Sequence, residues 1–231
     1  MGFGIPFLAK YNCRKECEKE MDSIHCAYKE TNESLESILK GMDVNSSDSI
    51  LGIMGSGHQG LAMVSKGCKV NLFDYEKDQI EYFYKIINFL KNEKNSDQSC
   101  SDFLIRKLNK KSPKEFFSSI QNIKEIRKNA NRLSFFGPID LFNLNIDFEN
   151  YNKVYLLNVL GYRNENGSFS RFKSFGDKFL SGTLFYITRS PSLEIFDEVV
   201  NRNVNYFLDI RLTKLAKSFE SGWEPFVIIK K

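Results

Sequence analysis

The chain is poor in the residues that would commit it early to a metal or a disulfide chemistry. It holds 2 His and 5 Cys in 231 residues, with neither a CxxC pair nor HxxxH spacing. Cys13 and Cys17 lie one helical turn apart, and His25 and Cys26 follow. That spacing matches no metal-ligand pattern, so no metal is assigned. An odd number of cysteines also argues against a disulfide framework and for a reducing compartment. No apolar run approaches the ~20 residues that a membrane-spanning helix needs. The opening MGFGIPFLAK has no basic leader and no small-residue cleavage site. Pro6 stands where a myristoylation motif wants Ser or Thr. The expected location is cytoplasmic. Internal repeats and low-complexity tracts are absent as well.

What the sequence does have is core-forming material. Hydrophobic residues make up 42% and aromatics 14%, with 21 Phe, a folding composition for one sizeable core. The net charge is mild, +4, but unevenly spread. Between Lys85 and Arg132 stand 12 Lys or Arg against 5 Asp or Glu, which leaves the rest of the chain net acidic. A segment of that kind serves either an anionic partner or a solvated helical face.

Apolar periodicity divides the chain. Residues 1–44 read as an N-terminal helical segment, with one helix over 13–40 stopped by Gly41. Residues 45–231 read as an α/β domain. Short apolar runs at 50–54 and 69–74 are strands, and 59–67 and 78–92 are helices. The run RLSFFGPID (132–140) holds the third strand and the loop after it, and strands at 153–160 and 183–190 continue the parallel order. A basic helical insertion, about 93–128, interrupts it. There, 102–111 is expected to form one helix and 112–126 another, with Ser112 as its cap and Pro113 at its first position. Helices over 169–182 and 192–202 follow, and the runs VNYFLDIRL and EPFVIIKK close the sheet as an antiparallel pair. The expected fold is a Rossmann-like, seven-stranded, mostly parallel sheet.

The stretch ILGIMGSGHQGLAMVSKGCKVNLFDYE carries the chemistry. Glycines at 55, 57 and 60 spell GxGxxG between a strand and a helix, where backbone N–H groups can approach a ligand. Asp74 ends the next strand, 19 residues after Gly55. That is close to the ~20 residues expected between a glycine loop and an acid that accepts from ribose hydroxyls. The pair points to an adenosine-type ligand. Either a nicotinamide or flavin dinucleotide or S-adenosylmethionine fits; a steric turn and a solvated acid is the plain alternative.

The strand order with its final antiparallel pair resembles the class I S-adenosylmethionine-dependent methyltransferase fold. GSGHQG, NLFDYE, KVYLLNVLG and SGTLFYITRS carry the resemblance. It implies that Gly55, Ser56 and Gly57 wall the methionine part of the cofactor. Asp74, with Tyr75 beside it, would hold the ribose, Asp140 would stand near the adenine, and Asn158 would line the floor. His58, Tyr162 and Glu165 are the candidate general bases, His58 foremost because imidazole titrates near neutrality. Methyltransferases of this fold usually carry an acid two residues before the first glycine, a position filled here by Ile53. In lacking it the loop is loosely similar to nicotianamine synthases and to the betaine-lipid aminocarboxypropyl transferases. The expected activity is therefore an S-adenosylmethionine-dependent transfer, of a methyl group first and an aminocarboxypropyl group second. A small NAD(P)-binding oxidoreductase or a non-catalytic nucleotide-binding module are the readings from other classes. The expected acceptor is a small molecule, of anionic or lipid-like character. It would lie under a lid formed by the insertion, with Phe116 and Phe117 inside and lysines at its rim. Peripheral membrane contact fits such a lid; nucleic acid is disfavoured, since it needs a denser basic patch with exposed aromatics.

Overall fold

The chain crosses the sheet outward and then returns to its middle. The structure is a computed structural model that describes residues 21, 23–106, 108–157, 168–189, 205–220 and 222–231. After helix α1 (Leu35–Gly41), strand β1 (Ser49–Ile53), helix α2 (His58–Val64), strand β2 (Lys69–Phe73) and helix α3 (Lys77–Lys91) follow in alternation. Three helices come next, α4 (Asp97–Arg106), α5 (Lys111–Ser118) and α6 (Ile120–Asn129). Strand β3 (Leu133–Phe136) lies at one edge of the sheet, and β4 (Lys153–Leu157) returns to pair with β1 on its other side. Helix α7 (Ser168–Gly176), β5 (Leu184–Arg189), β6 (Tyr206–Leu208), helix α8 (Ile210–Lys217) and β7 (Glu224–Lys230) complete the described elements.

The sheet order is β3-β2-β1-β4-β5-β7-β6. The first five strands run parallel, and β7 lies antiparallel between β5 and β6. Parallel strands are covered on both faces, so they read as continuous apolar runs rather than as alternations. In β1 the central Ile50, Leu51 and Gly52 are accordingly all shielded. Neighbouring residues of one strand feed opposite clusters. Ile50, Val70 and Tyr155 join the core shared with α1 to α6 and α8, while Leu51, Phe73 and Val154 join a phenylalanine-rich core under α7. The chain changes direction between β1 and β4, and in open α/β sheets ligands bind outside the carboxyl ends of the strands at such a point.

Three expectations change at the element level. The single helix over 13–40 is not continuous, because residues 23–34 run irregularly and α1 begins after the cap residue Ser34. The cause is tertiary: Tyr28 exchanges hydrogen bonds with Gln79, and Glu33 bonds the hydroxyls of Tyr155 and Thr188, contacts that a helix would break. In the insertion the run 112–126 forms two helices, not one. Ser112 is not the cap. Lys110 precedes α5, and Ser119, extended at ψ 111°, caps α6 by accepting the Asn122 N–H. Pro113 falls in the first turn of α5, where no intrahelical N–H is needed. The first of those helices lies at 97–106 rather than 102–111. Last, only 206–208 of the run VNYFLDIRL is strand, since Asp209 accepts the Leu212 N–H at 2.8 Å and starts α8. The helix expected at 192–202 lies outside the described residues.

The apolar side of the insertion is part of the core. Phe103, Leu104, Leu108, Phe117, Ile123 and Ile126 are buried in one cluster with Leu61, Val64 and Leu72 of α2 and β2. Phe117, expected on the inner face of a lid, is fully buried, with Phe116 edge-on against it. The lysines Lys110, Lys111 and Lys114 are exposed, as a rim would require.

Candidate functional site

Three glycines of the loop after β1 serve three different needs. Gly55 takes φ +49°, and a Cβ built there would meet nothing within 4 Å. The residue is buried, yet the space beside its Cα is unfilled. Gly57 takes φ +80° at the cap of α2, and its Cβ would lie 2.1 Å from the Phe83 ring. Gly60 allows α2 to lie on β2, since its Cβ would stand 2.4 Å from Leu72. Only the first position borders unfilled space, so a ligand would contact this loop through Gly55 and its neighbouring backbone. Ser56 contributes no outward side chain; it is buried, and its Oγ lies 3.0 Å from His58 Nδ1 and 3.3 Å from Gln59 Oε1.

Asp74 stands at the carboxyl end of β2, as the spacing predicts, and its carboxylate meets the glycine loop. The Gly55 N–H donates to Oδ2 at 3.1 Å, and the Glu76 N–H to Oδ1 at 3.0 Å. Burial pushes the carboxyl above its ordinary range, and these N–H groups pull against that shift. Each carboxylate oxygen has two acceptor sites, so capacity for ribose hydroxyls remains. The Asp74 backbone is stitched to the next loop as well, donating to Phe136 O at 3.2 Å and accepting from Ile139 N–H at 2.9 Å. Gly55, Asp74 and the loop after β3 therefore meet at one end of the sheet. Tyr75 is exposed there. An open cleft of about 440 Å³ lies beside the same turn, lined by His25, Cys26, Ala27, Lys29, Glu76 and Asp78.

Asp140 acts locally. It accepts the Phe142 N–H at 3.0 Å and so starts the short turn 141–143. Asn158, Tyr162 and Glu165 lie outside the described residues. His58 is displaced from its expected role. It is buried at 2% exposure, tilted against Phe117 at 5.4 Å, and burial holds its imidazole down at about 4. An uncharged ring in the core under the loop supports the loop and does not reach a solvent-facing acceptor.

A buried polar cluster leaves little trace in the sequence. Glu33 is 2% exposed and accepts from the Thr188 hydroxyl at 2.5 Å and from the Tyr155 hydroxyl. Gln59 hydrogen-bonds the same Tyr155 hydroxyl and donates to Thr31 Oγ1 at 2.7 Å. Gly52 leaves the space in which Tyr155 lies, since a Cβ there would stand 3.2 Å from Tyr155 Cβ. A glycine, a tyrosine and a threonine in otherwise apolar strands are the only signs of this cluster that the sequence carries. Among the described residues no group of His, Cys, Asp and Glu is arranged to hold a metal ion. No described helix is long and apolar enough to cross a membrane.

No family model matches the sequence, and no curated protein matches it. Solved structures do match. The cyclase SpnF superposes with a TM-score of 0.51 at 7% identity, over 94% of this chain and 92% of its own. Magnesium protoporphyrin IX methyltransferase from Synechocystis PCC 6803, solved with bound SAM, gives 0.47 at 10% identity over 93% and 79%. The CcbJ methyltransferase from Streptomyces caelestis gives 0.44 at 10% identity, over 67% of this chain and 47% of CcbJ. The chain thus spans about half the length of CcbJ, and 56% of the N-methyltransferase MtfA. At these identities the likeness concerns the fold alone, an α/β Rossmann-like fold with a seven-stranded, mostly parallel sheet.

Proposed function

We propose that the chain binds S-adenosylmethionine across the carboxyl ends of β1, β2 and β4 and transfers a group from it to a small-molecule acceptor. The observation that carries this reading is the junction of Gly55 and Asp74. A glycine at φ +49° that borders unfilled space and a carboxylate with spare acceptor capacity are hydrogen-bonded to each other at 3.1 Å, beside the point where the sheet changes direction. The antiparallel β7 between β5 and β6 further supports this cofactor over a dinucleotide, in keeping with the resemblance.

Bound there, the cofactor supplies a carbon already activated by its sulfonium, so the protein contributes alignment and exclusion of water. Gly55 and the backbone after it bind the methionine half, and Asp74 orients the ribose. A methyl group is the preferred cargo. Ile53, apolar where the resemblance expects an acid, favours aminocarboxypropyl transfer as the second reading. Exposed Lys110, Lys111 and Lys114 support an acceptor with negative charge.

S-adenosylhomocysteine, the methyl-transfer product, tests the reading without knowledge of the acceptor. At 100 times its dissociation constant it should stabilise the fold by ~2.7 kcal/mol, a rise in Tm of about 5–10 °C for a chain of this size. NADH should give none. A response to NADH alone would overturn the assignment.

A further inference from the structure

The buried Glu33 has a charge that the fold does not use. Its two partners, the Tyr155 and Thr188 hydroxyls, can each donate or accept, so a neutral amide would satisfy them equally. Among the described residues no ion pair includes it. Among the described residues, the groups that face it from neighbouring elements offer no cation either. Tyr155 and Tyr186 stay protonated, pushed far up by burial and by Glu33 itself. Glu220, which accepts the Ser34 N–H at 2.8 Å, opposes a second negative charge nearby. His58 is neutral. An unpaired buried carboxylate is expensive, and nothing in the packing requires it.

Its position suggests what does. Tyr155 and Thr188 belong to β4 and β5, and Tyr155 is hydrogen-bonded to Gln59, whose Oε1 accepts from Ser56 of the glycine loop at 3.3 Å. Two side chains therefore separate Glu33 from the loop that holds the ligand. We propose that Glu33 is the charge-balancing residue of the site, its carboxylate attracting a positive group on the methionine half of the bound cofactor. This rests on S-adenosylmethionine being the ligand. Burial raises the free carboxyl to about 7, with the two hydroxyl bonds pulling it back. A cation at the loop favours the ionised form, so binding near neutrality releases a proton.

Three probes separate the charges. S-adenosylmethionine carries an ammonium and a sulfonium beside its carboxylate, S-adenosylhomocysteine the ammonium and the carboxylate, and 5′-methylthioadenosine none of the three. Each is titrated calorimetrically into wild type and Glu33→Gln at pH 6 and pH 8. In the wild type the charged probes should bind up to about tenfold tighter at pH 8, with 5′-methylthioadenosine unchanged. Glu33→Gln should lose on the order of tenfold for the charged probes at pH 8, together with their pH dependence, and leave 5′-methylthioadenosine as before. A loss for S-adenosylmethionine alone identifies the sulfonium as the group sensed; an equal loss for both identifies the ammonium. Equal weakening of all three probes, or no change, overturns the proposal. Thr188→Val, which removes one donor to the carboxylate, should move the midpoint of the wild-type pH dependence upward, and an unmoved midpoint would overturn it too. Probes that bind the wild type without pH dependence defeat the role of Glu33 alone. Failure of every probe to bind defeats the cofactor reading with it.

Discussion

Two carboxylates show how much a side chain's surroundings decide. Asp74 was legible, because strand-end acids follow glycine loops at a near-constant spacing. What spacing cannot show is that its oxygens already accept the Gly55 and Glu76 N–H groups. Asp74→Ala should therefore cost stability as well as S-adenosylhomocysteine affinity, by ~1–3 kcal/mol in urea unfolding. Asp74→Asn, which keeps one acceptor, should cost less; equal stability of wild type and Asp74→Ala would mean the two N–H bonds contribute nothing. Glu33 was invisible, since nothing local distinguishes TNES from a solvated turn. Its carboxyl is raised to about 7, so the stability it contributes is full below its ordinary pKa and is lost as pH rises through 7. His58 is lowered to about 4, so its contribution is full above 6.5 and is lost as pH falls toward 4. The two oppose each other in mild acid. Above pH 7 only the buried charge of Glu33 acts, and Glu33→Gln should gain on the wild type from pH 5 to pH 8, by on the order of 2 kcal/mol. Thermal melts at the two pH values measure this, and a constant difference would show that Glu33 does not ionise in the fold.

At the scale of elements, periodicity served where packing and local preference agree. The strands β1 and β2 were legible as short apolar runs, and the helices α2 and α3 from the helical spacing of their apolar residues. The irregular 23–34 and the break at Ser119 were not, since there distant hydrogen bonds and a cap override a helical composition. The glycine motif was legible as a whole but not glycine by glycine. A valine at 57 would drive its Cβ into the Phe83 ring at 2.1 Å with φ at +80°, so Gly57→Val tests packing rather than binding. It should destabilise by about 2–5 kcal/mol, the summed cost of overpacking and a strained backbone. Gly55→Ala is the cleaner probe. Its Cβ meets only open space, so the fold should lose about 1–2 kcal/mol while S-adenosylhomocysteine binding is lost. Normal binding by Gly55→Ala would show that the ligand does not approach this face of the loop.

For the whole molecule, strand count, parallel order and the closing antiparallel pair could be read from short continuous apolar runs that take turns with helical patterns, because a parallel sheet covered on both faces imposes them. Where the insertion packs could not, because that depends on which distant surface its apolar residues find. A basic stretch with paired phenylalanines looks the same whether it closes over a site or joins the core. Here Phe117 lies fully buried against the His58 ring, so the insertion, the first turn of α2 and the glycine loop form one packed unit. Phe117→Ala should therefore destabilise the entire fold, by ~3–5 kcal/mol in urea unfolding. The cavity it leaves should also relieve the burial that holds His58 near 4, so that its imidazole titrates closer to the ordinary 6.5. With 2 His in the chain, proton NMR can follow both rings through one titration. Replacing the exposed Lys110, Lys111 and Lys114 by Gln should leave both measurements unchanged. A Phe117→Ala protein that unfolds with the wild type, His58 still titrating near 4, would mean that the insertion is a detachable cover and that the core closes without it.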